Sequence, residues 1–392
     1  MNWYQVLKSI EEHRDPLIDL STGSPLLVDE IADVLSRALR ALGNQNDIAT
    51  ELGGYTNVDG LPELINGFAD ACSKLIGYHL NCEQILVVPG VQAALRYAHE
   101  ILRQHRQSPR ILFPIGLEFP GAVDPHAPLA PAIGHYQVAN IDTTFFRPLI
   151  DLLSLNWEGV GAVIVSRPHS PTGCVWSAEE MTKLADEAAE HGAWLILDET
   201  YALPFAPLTD EAYSFIDRPN VIHLYSFSKV GLAGERIGIV VAAPEIIRLF
   251  RGTLRRNLIQ APKSGQRLAL AVIQAIQCKP ELGKSFGPLY RKRWNLCRRL
   301  LFSSEIPAHI ALWQGGPFLW CQWLGTLSSD DLFDSLLHDG VAVAPSSALW
   351  VDPLSADQRP EAIRIGLGTN ISDLERAIPV VASALRELVR LE

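Results

Sequence analysis

The sequence predicts an α/β fold in which crossover helices flank a mostly parallel sheet. Short apolar runs rich in Val and Ile recur through the middle of the chain: QILVVPG, RILFP, GAVIVSRP, AWLILDET, VIHLYSFS and RIGIVVA. Continuous runs of this length suit strands buried on both faces of a sheet. Helical patterns separate them, and such alternation marks parallel strands joined by crossovers.

Taken in order, the chain opens with MNWYQVLKSIEEHRD, an amphipathic, acid-containing stretch unlike a signal or transit peptide. After the first run, VQAALRYAHEILRQH reads as a crossover helix. SAEEMTKLADEAAEHG opens with Ser177 and Glu180 at capping-box spacing and stops at Gly192. From about residue 290 onward helices and shorter strands replace the long runs. The last helix is expected to open at Ser372, with Glu375 completing a second capping box, and to bend at Pro379. The change of texture predicts a large domain over 46–290 and a smaller α+β domain assembled from 1–45 and 291–392.

The 392 residues, 48% of them hydrophobic, suffice for a large core. A net charge of −11 gives no attraction to nucleic acid or an anionic membrane. No apolar run reaches membrane-spanning length. The six cysteines are scattered without a Cys-x-x-Cys pair, so they read as reduced thiols of a cytoplasmic protein.

Several motifs fail on context. GVGAVI at 159–164 lacks a third glycine and leads into a strand, so it is no dinucleotide fingerprint. GKS at 283–285 has Cys278 where a phosphate loop needs its first glycine. His99 and His105 are off the spacing that puts two metal ligands on one helix face, and no metal is expected.

In open α/β sheets ligands gather at the carboxyl ends of the strands. Gly90, Phe119, His169, Asp198 and Ser226 each follow an apolar run closely. The stretch SFSKVGLAGERIG places Lys229 among small residues, with Arg236 seven positions on. A lysine of lowered pKa attacks aldehydes, and a Schiff base is how pyridoxal phosphate is held. Such a cofactor also needs a phosphate cup, an acid for its ring nitrogen, a donor for its phenolic oxygen and a stacking partner. Ser226 offers a hydroxyl and Arg236 a rigid fork of donors for the phosphate. Gly90, Val91 and Gln92 offer the N–H groups of a helix start. Asp198 ends a buried run, Tyr201 follows three residues later, and Phe119 supplies a ring face.

With these residues in place, the chain resembles the fold-type I pyridoxal-phosphate enzymes, the aspartate aminotransferase superfamily. SFSKVGLAGERIG resembles their Schiff-base signature, LDETY their Asp-x-x-Tyr element and SRPHSPTG their Asn-Pro-Thr-Gly turn. Within the superfamily the likeness is to valine–pyruvate aminotransferases, through the VSRP and PTG elements, the seven-residue Lys-to-Arg gap, GGPFLWCQW and RIGLGTN. The resemblance runs from STGSP at 21 to the last helix. It implies a three-layer α/β/α large domain with a seven-stranded sheet, and amino-group transfer between an α-amino acid, small or apolar, and a 2-oxo acid. It further implies that Lys229 carries the cofactor and moves the Cα proton. Arg364 would clamp the substrate carboxylate, aided by a backbone N–H of Gly23. Tyr55 would reach the phosphate of a partner subunit, making a homodimer with shared active sites. One departure stands out: Ser170, preceded by His169, replaces the usual Asn before Pro-Thr-Gly. It keeps open a lyase, replacement or cyclising reaction, with Ser170 and His169 both at the substrate. Val91 and Gln92 replace the small hydroxyl residues often found in the phosphate cup. A ligand-sensing protein that keeps the fold is the non-enzymatic alternative.

Overall fold

The computed structural model describes residues 1–43, 53–124, 129–209, 211–303, 306, 308–323, 327–351 and 359–389, of which 387–389 in backbone only. Its larger sheet has seven strands in the order Ile85–Val88, Gly238–Val241, Val221–Ser226, Trp194–Glu199, Val160–Ser166, Arg110–Phe113, Ala130–Ile133. Gly238–Val241 runs antiparallel to both of its neighbours, and the remaining pairings are parallel. The expected α/β/α architecture is therefore present. Ile85–Val88, Val160–Ser166 and Val221–Ser226 are buried along their whole lengths, as their unbroken apolar character requires.

Helices cover both faces. Leu86 and Val88 pack with Leu95 of helix Val91–His105 and Phe250 of helix Pro244–Asn257. Val163 and Leu195 pack with Met181 and Leu184 of helix Ala178–Glu190. Ser177 caps that helix, accepting from Glu180 N–H while the Glu180 side chain accepts from Ser177 N–H, as its spacing predicts. Such a cap stabilises a helix by about 1 kcal/mol.

A second sheet of six strands has the order Ala344–Pro345, Glu361–Gly366, Phe318–Trp323, Ala308–Ala311, Phe145–Leu149, Gln137–Asn140. Its last two strands form a hairpin from mid-chain, inside the span assigned to the large domain. Their burial is partial or alternating, so they lack the continuous apolar runs that reveal the larger sheet. The expected boundary at 45/46 lies outside the described residues. The last helix spans Ile371–Val389, with Pro379 inside it. Ser372 lies within the first turn, and the carbonyl of Asn370 accepts from Asp373 and Leu374 N–H, so the start precedes the expected box.

The amino-terminal segment joins this second region. Ile18–Asp19 pairs in parallel with Val341–Ala342, and Gly366 N–H donates to Leu20 O. That pairing carries Ser21–Gly23 to the mouth between the sheets. Helix Trp3–Glu12 is seated through Val6 against Phe333 and Ala348. Cys72, Cys174, Cys297 and Cys321 are buried thiols, whereas Cys82 and Cys278 are exposed. Among the described residues no helix is long and apolar enough to cross a membrane.

Candidate active site

Parallel strands end on one side, and the site is built there. Gly23, Val91, Gln92, Phe119, Ser170, Asp198, Tyr201, Ser226, Lys229, Arg236 and Arg364 line one cavity of about 270 Å³. Eleven positions spread over more than 340 residues thus converge, eight from the strand-end argument and three, Gly23, Ser170 and Arg364, implied by the resemblance. Trp3, Thr22, Ser166, Thr200, Ser228 and Phe318 complete the wall.

Lys229 sits in a short helical turn, Ser228–Val230, directly after strand Val221–Ser226. Gly231 follows with φ +98°, a left-handed conformation that glycine adopts without strain, which explains one glycine of SFSKVGLAGERIG. The Lys229 ammonium donates to Gly23 O at 2.5 Å. Burial lowers its pKa from 10.5 to about 8; the Arg364 and Arg236 charges push the same way and Asp198 opposes them. This amine is far closer to a neutral nucleophile than an ordinary lysine.

Asp198 is 6% exposed at the end of its strand, and burial raises its pKa. Thr200 donates to Oδ1 through both its N–H (3.1 Å) and its hydroxyl (2.6 Å). A buried carboxylate of this kind is stabilised by a cation, which suits a protonated ring nitrogen. Tyr201 is buried with its hydroxyl pKa raised, so it remains a donor, and its ring stands edge-on to Phe318 at 5.7 Å.

The phosphate end is a cradle of backbone and cation. Gly90 has φ +85°, and a Cβ there would lie 2.5 Å from Arg236 Nη2. Only a glycine leaves room for the guanidinium against the helix start. Gly90 N–H itself bonds Val88 O, so its contribution is space and conformation. Val91 and Gln92, in the first turn, keep N–H groups without intrahelical partners. The Ser226 hydroxyl accepts from Ser228 N–H at 3.1 Å, and both residues face the cavity.

Arg364 is 2% exposed in the middle of its strand, yet no carboxylate among the described residues pairs with it. Nη2 donates to Ser21 O at 2.7 Å, Nη1 is 3.5 Å from Ser170 Oγ, and Nε has no partner. Burial lowers its pKa to about 10, so it stays charged near neutrality. An uncompensated buried cation is costly, and a bound carboxylate relieves that cost. Ser170, despite its short side chain, lies within reach of Arg364 and of the Tyr201 hydroxyl.

One expected contact is placed elsewhere. His169 does not line the cavity: it is 2% exposed, with Nδ1 2.8 Å from Thr172 Oγ1 and Nε2 3.0 Å from Leu117 O. Burial lowers its pKa to about 4, so the neutral ring props the turn from behind. Tyr55 is 80% exposed and does not line its own chain's cavity. Glu118 and Trp3 were not anticipated. Glu118 is buried beneath the turn, and Trp3 lies over Arg364. Neither carries a motif, since a single acid before Phe119 and one aromatic on an amphipathic helix are ordinary in sequence.

The donor set fits pyridoxal phosphate: a depressed lysine, a buried acid, a glycine-floored anion cradle and an orphaned buried guanidinium. The protein comparisons agree. The family model for aminotransferase class I and II matches residues 15–381. The valine–pyruvate aminotransferase of Escherichia coli K12 is 30% identical over 344 residues, covering 84% of this chain and 81% of that one. The 4-dedimethylamino-4-oxo-anhydrotetracycline transaminase OxyQ of Streptomyces rimosus is 27% identical over 354 residues, covering 87% and 88%. A putative amino-acid aminotransferase from Psychrobacter arcticum 273-4 superimposes with a TM-score of 0.90 at 25% identity, over 99% of this chain and 96% of that one. The valine–pyruvate aminotransferase AvtA of Salmonella typhimurium LT2 shares the fold, with a TM-score of 0.85 at 21% identity over 99% of both chains. A match spanning nearly the whole chain, on a site built for this cofactor, places the protein in the class I and II aminotransferases, pyridoxal-phosphate-dependent enzymes that transfer amino groups between amino acids and 2-oxo acids.

Proposed function

We propose that Lys229 holds pyridoxal phosphate covalently and that Arg364 binds the α-carboxylate of a small or apolar amino donor. The unpaired, buried Arg364 beside the depressed Lys229 amine carries this reading. Val91 and Gln92 N–H, Ser226, Ser228 and Arg236 hold the phosphate. Phe119 would stack on the ring and Tyr201 would donate to its phenolic oxygen. When bound, the cofactor supplies an electron sink that acidifies the donor's Cα–H. Asp198 keeps the ring nitrogen protonated and thereby strengthens that sink. Lys229 would take the donor's Cα proton as general base and hold it for return. Arg364, with Ser170 and Gly23 beside it, fixes the Cα–H bond toward Lys229.

The side-chain region favours an apolar group. Trp3 and Phe318 line it, and the cavity's other cations are Lys229 and Arg236. We further infer a homodimer in which Tyr55 enters the partner's phosphate site. Tyr55, Leu258 and Ile259 are exposed apolar residues, brought near one another by the bond from Thr56 N–H to Gln260. The unpaired thiols support a cytoplasmic setting.

Borohydride reduction of the pure enzyme, followed by peptide mass analysis, tests the core of this reading. A phosphopyridoxyl label on the peptide containing Lys229 is expected, and an unlabelled peptide sinks it. Mixing the enzyme with one amino acid and no 2-oxo acid should yield about one equivalent of keto acid per site. Continuous release of ammonia or of a side-chain fragment would instead mark an eliminating enzyme.

A further inference from the structure

We propose that Glu118 is a positioning residue that ties the ring-stacking Phe119 to the Ser170 turn and, through that turn, to Arg364. This rests on the function proposed above and adds to it a side chain that touches neither cofactor nor substrate. Glu118 is 3% exposed, and no Lys or Arg among the described residues pairs with it. Burial raises its pKa to about 8, and its oxygens are met by neutral donors alone. Oε1 accepts from Phe119 N–H at 2.8 Å and from the Ser166 hydroxyl at 2.5 Å, and Oε2 accepts from Ser166 N–H at 2.9 Å. His169 Nε2 is 4.0 Å from Oε2, but its proton serves Leu117 O.

The Ser166 hydroxyl passes the constraint on. Its proton goes to Glu118, so its lone pairs are free to accept from Ser170 N–H, at 2.8 Å. Ser170 Oγ in turn faces Arg364 Nη1 at 3.5 Å. One carboxylate thus fixes the backbone of the stacking ring, and a hydroxyl oriented by it fixes the turn beside the substrate clamp. A carboxylate suits this place because both of its oxygens accept; an amide would turn an NH2 toward one of these donors. Burying an acid without a cation is costly, and hydrogen bonds from three donors offset part of that cost while fixing the carboxyl in place. The arrangement also bears on Ser170, whose short side chain meets Arg364 only if its backbone is held in place.

The test compares wild type with Ser166→Ala, Glu118→Gln and Glu118→Ala. Three quantities are read: the Kd of pyridoxal phosphate by spectral titration of the cofactor-stripped enzyme, KM and kcat for an amino donor, and the thermal midpoint. Ser166→Ala removes the hydroxyl that joins Glu118 to Ser170 while leaving the two backbone N–H bonds to Glu118, and should raise donor KM about tenfold, the worth of one such hydrogen bond, with cofactor Kd within about threefold of wild type. Glu118→Ala should raise both KM and Kd about tenfold, and Glu118→Gln, which keeps Oε1, should recover most of the loss in Kd. Should Glu118→Ala fail to fold, the other two variants, each a small change, still decide the matter. Unchanged KM in well-folded Ser166→Ala overturns the proposal, as does a rise in KM and Kd with a fall in thermal midpoint in Glu118→Ala that Glu118→Gln does not relieve. A wild-type enzyme that binds no pyridoxal phosphate overturns the proposed function itself, and this inference with it.

Discussion

Arg364 sits over the face of Phe318, its guanidinium carbon 4.1 Å from the ring centroid. Trp3 lies at 5.2 Å from the same carbon. The rings cover the guanidinium, and a carboxylate meets its donors in the plane of the fork. Lysine keeps the charge but neither stacks as a plane nor donates two parallel bonds. Arg364→Lys should therefore raise donor KM roughly 100-fold, with a smaller change in kcat. Steady-state kinetics on a single donor check this, and a KM within threefold of wild type would remove Arg364 from the carboxylate site.

Trp3 belongs to two walls. It lines the 270 Å³ cavity and also a larger neighbouring cavity of about 690 Å³, walled further by Pro120, Val123 and Trp350. Its indole therefore divides the catalytic space from an open apolar one. Trp3→Ala should join them and shift preference toward bulky donors. The kcat/KM ratio of an aromatic donor to a small aliphatic one is expected to rise about tenfold, since a pocket's discrimination by size is worth a few kcal/mol at most. An unchanged ratio would mean that the side chain is bounded elsewhere.

The readable part of this site is the part that hangs on strand ends. Val88, Ser166, Glu199 and Ser226 end parallel strands whose apolar runs are visible in one dimension, so Gln92, Tyr201 and Lys229 could be gathered without coordinates, whereas Ser170 was reached by resemblance. Arg364 was reached by resemblance, since nothing local distinguishes it from a surface arginine on a strand. Glu118 and Trp3 were invisible because their meaning is tertiary: Glu118 acquires its role from Ser166, 48 residues away. His169 shows the converse. Its sequence neighbours suggested substrate contact, but its ring turns into the core toward Trp176, 5.6 Å between centroids. A one-residue step along a turn reverses the side chain's direction, and spacing alone does not say which residue faces the cavity. The hairpin 137–149 was missed for a related reason, its half-exposed strands lacking a continuous apolar run.

Asp198→Asn keeps shape and one acceptor oxygen while deleting the charge. With no carboxylate to hold its proton, the ring nitrogen loses its cationic form, and the electron sink weakens. A kcat lower by about 10²–10³ is expected, the scale on which one aligned electrostatic partner contributes to a transition state. Lys229 remains intact, so borohydride should still label its peptide. A variant with wild-type kcat would show that Asp198 serves structure alone.

Rebuilding the enzyme from stripped protein and pyridoxal phosphate should report the Lys229 amine directly. Only the neutral amine attacks an aldehyde. Its pKa is lowered from 10.5 to about 8, chiefly by burial, so the reactive fraction falls about tenfold per pH unit below 8 and saturates above it. The rate constant for reconstitution should therefore climb with pH and level off through a midpoint near 8. The neighbours set the direction of further shifts. Arg364 disfavours the ammonium, so Arg364→Gln should move the midpoint up. Asp198 favours the ammonium, so Asp198→Asn should move it down. Titratable groups of the cofactor are common to all three proteins and cancel in the comparison. Stopped-flow absorbance across pH 6 to 10.5 measures the three midpoints, and a wild-type midpoint at the ordinary 10.5 of lysine, or variants shifting in the opposite order, would contradict the electrostatics on which the site is built.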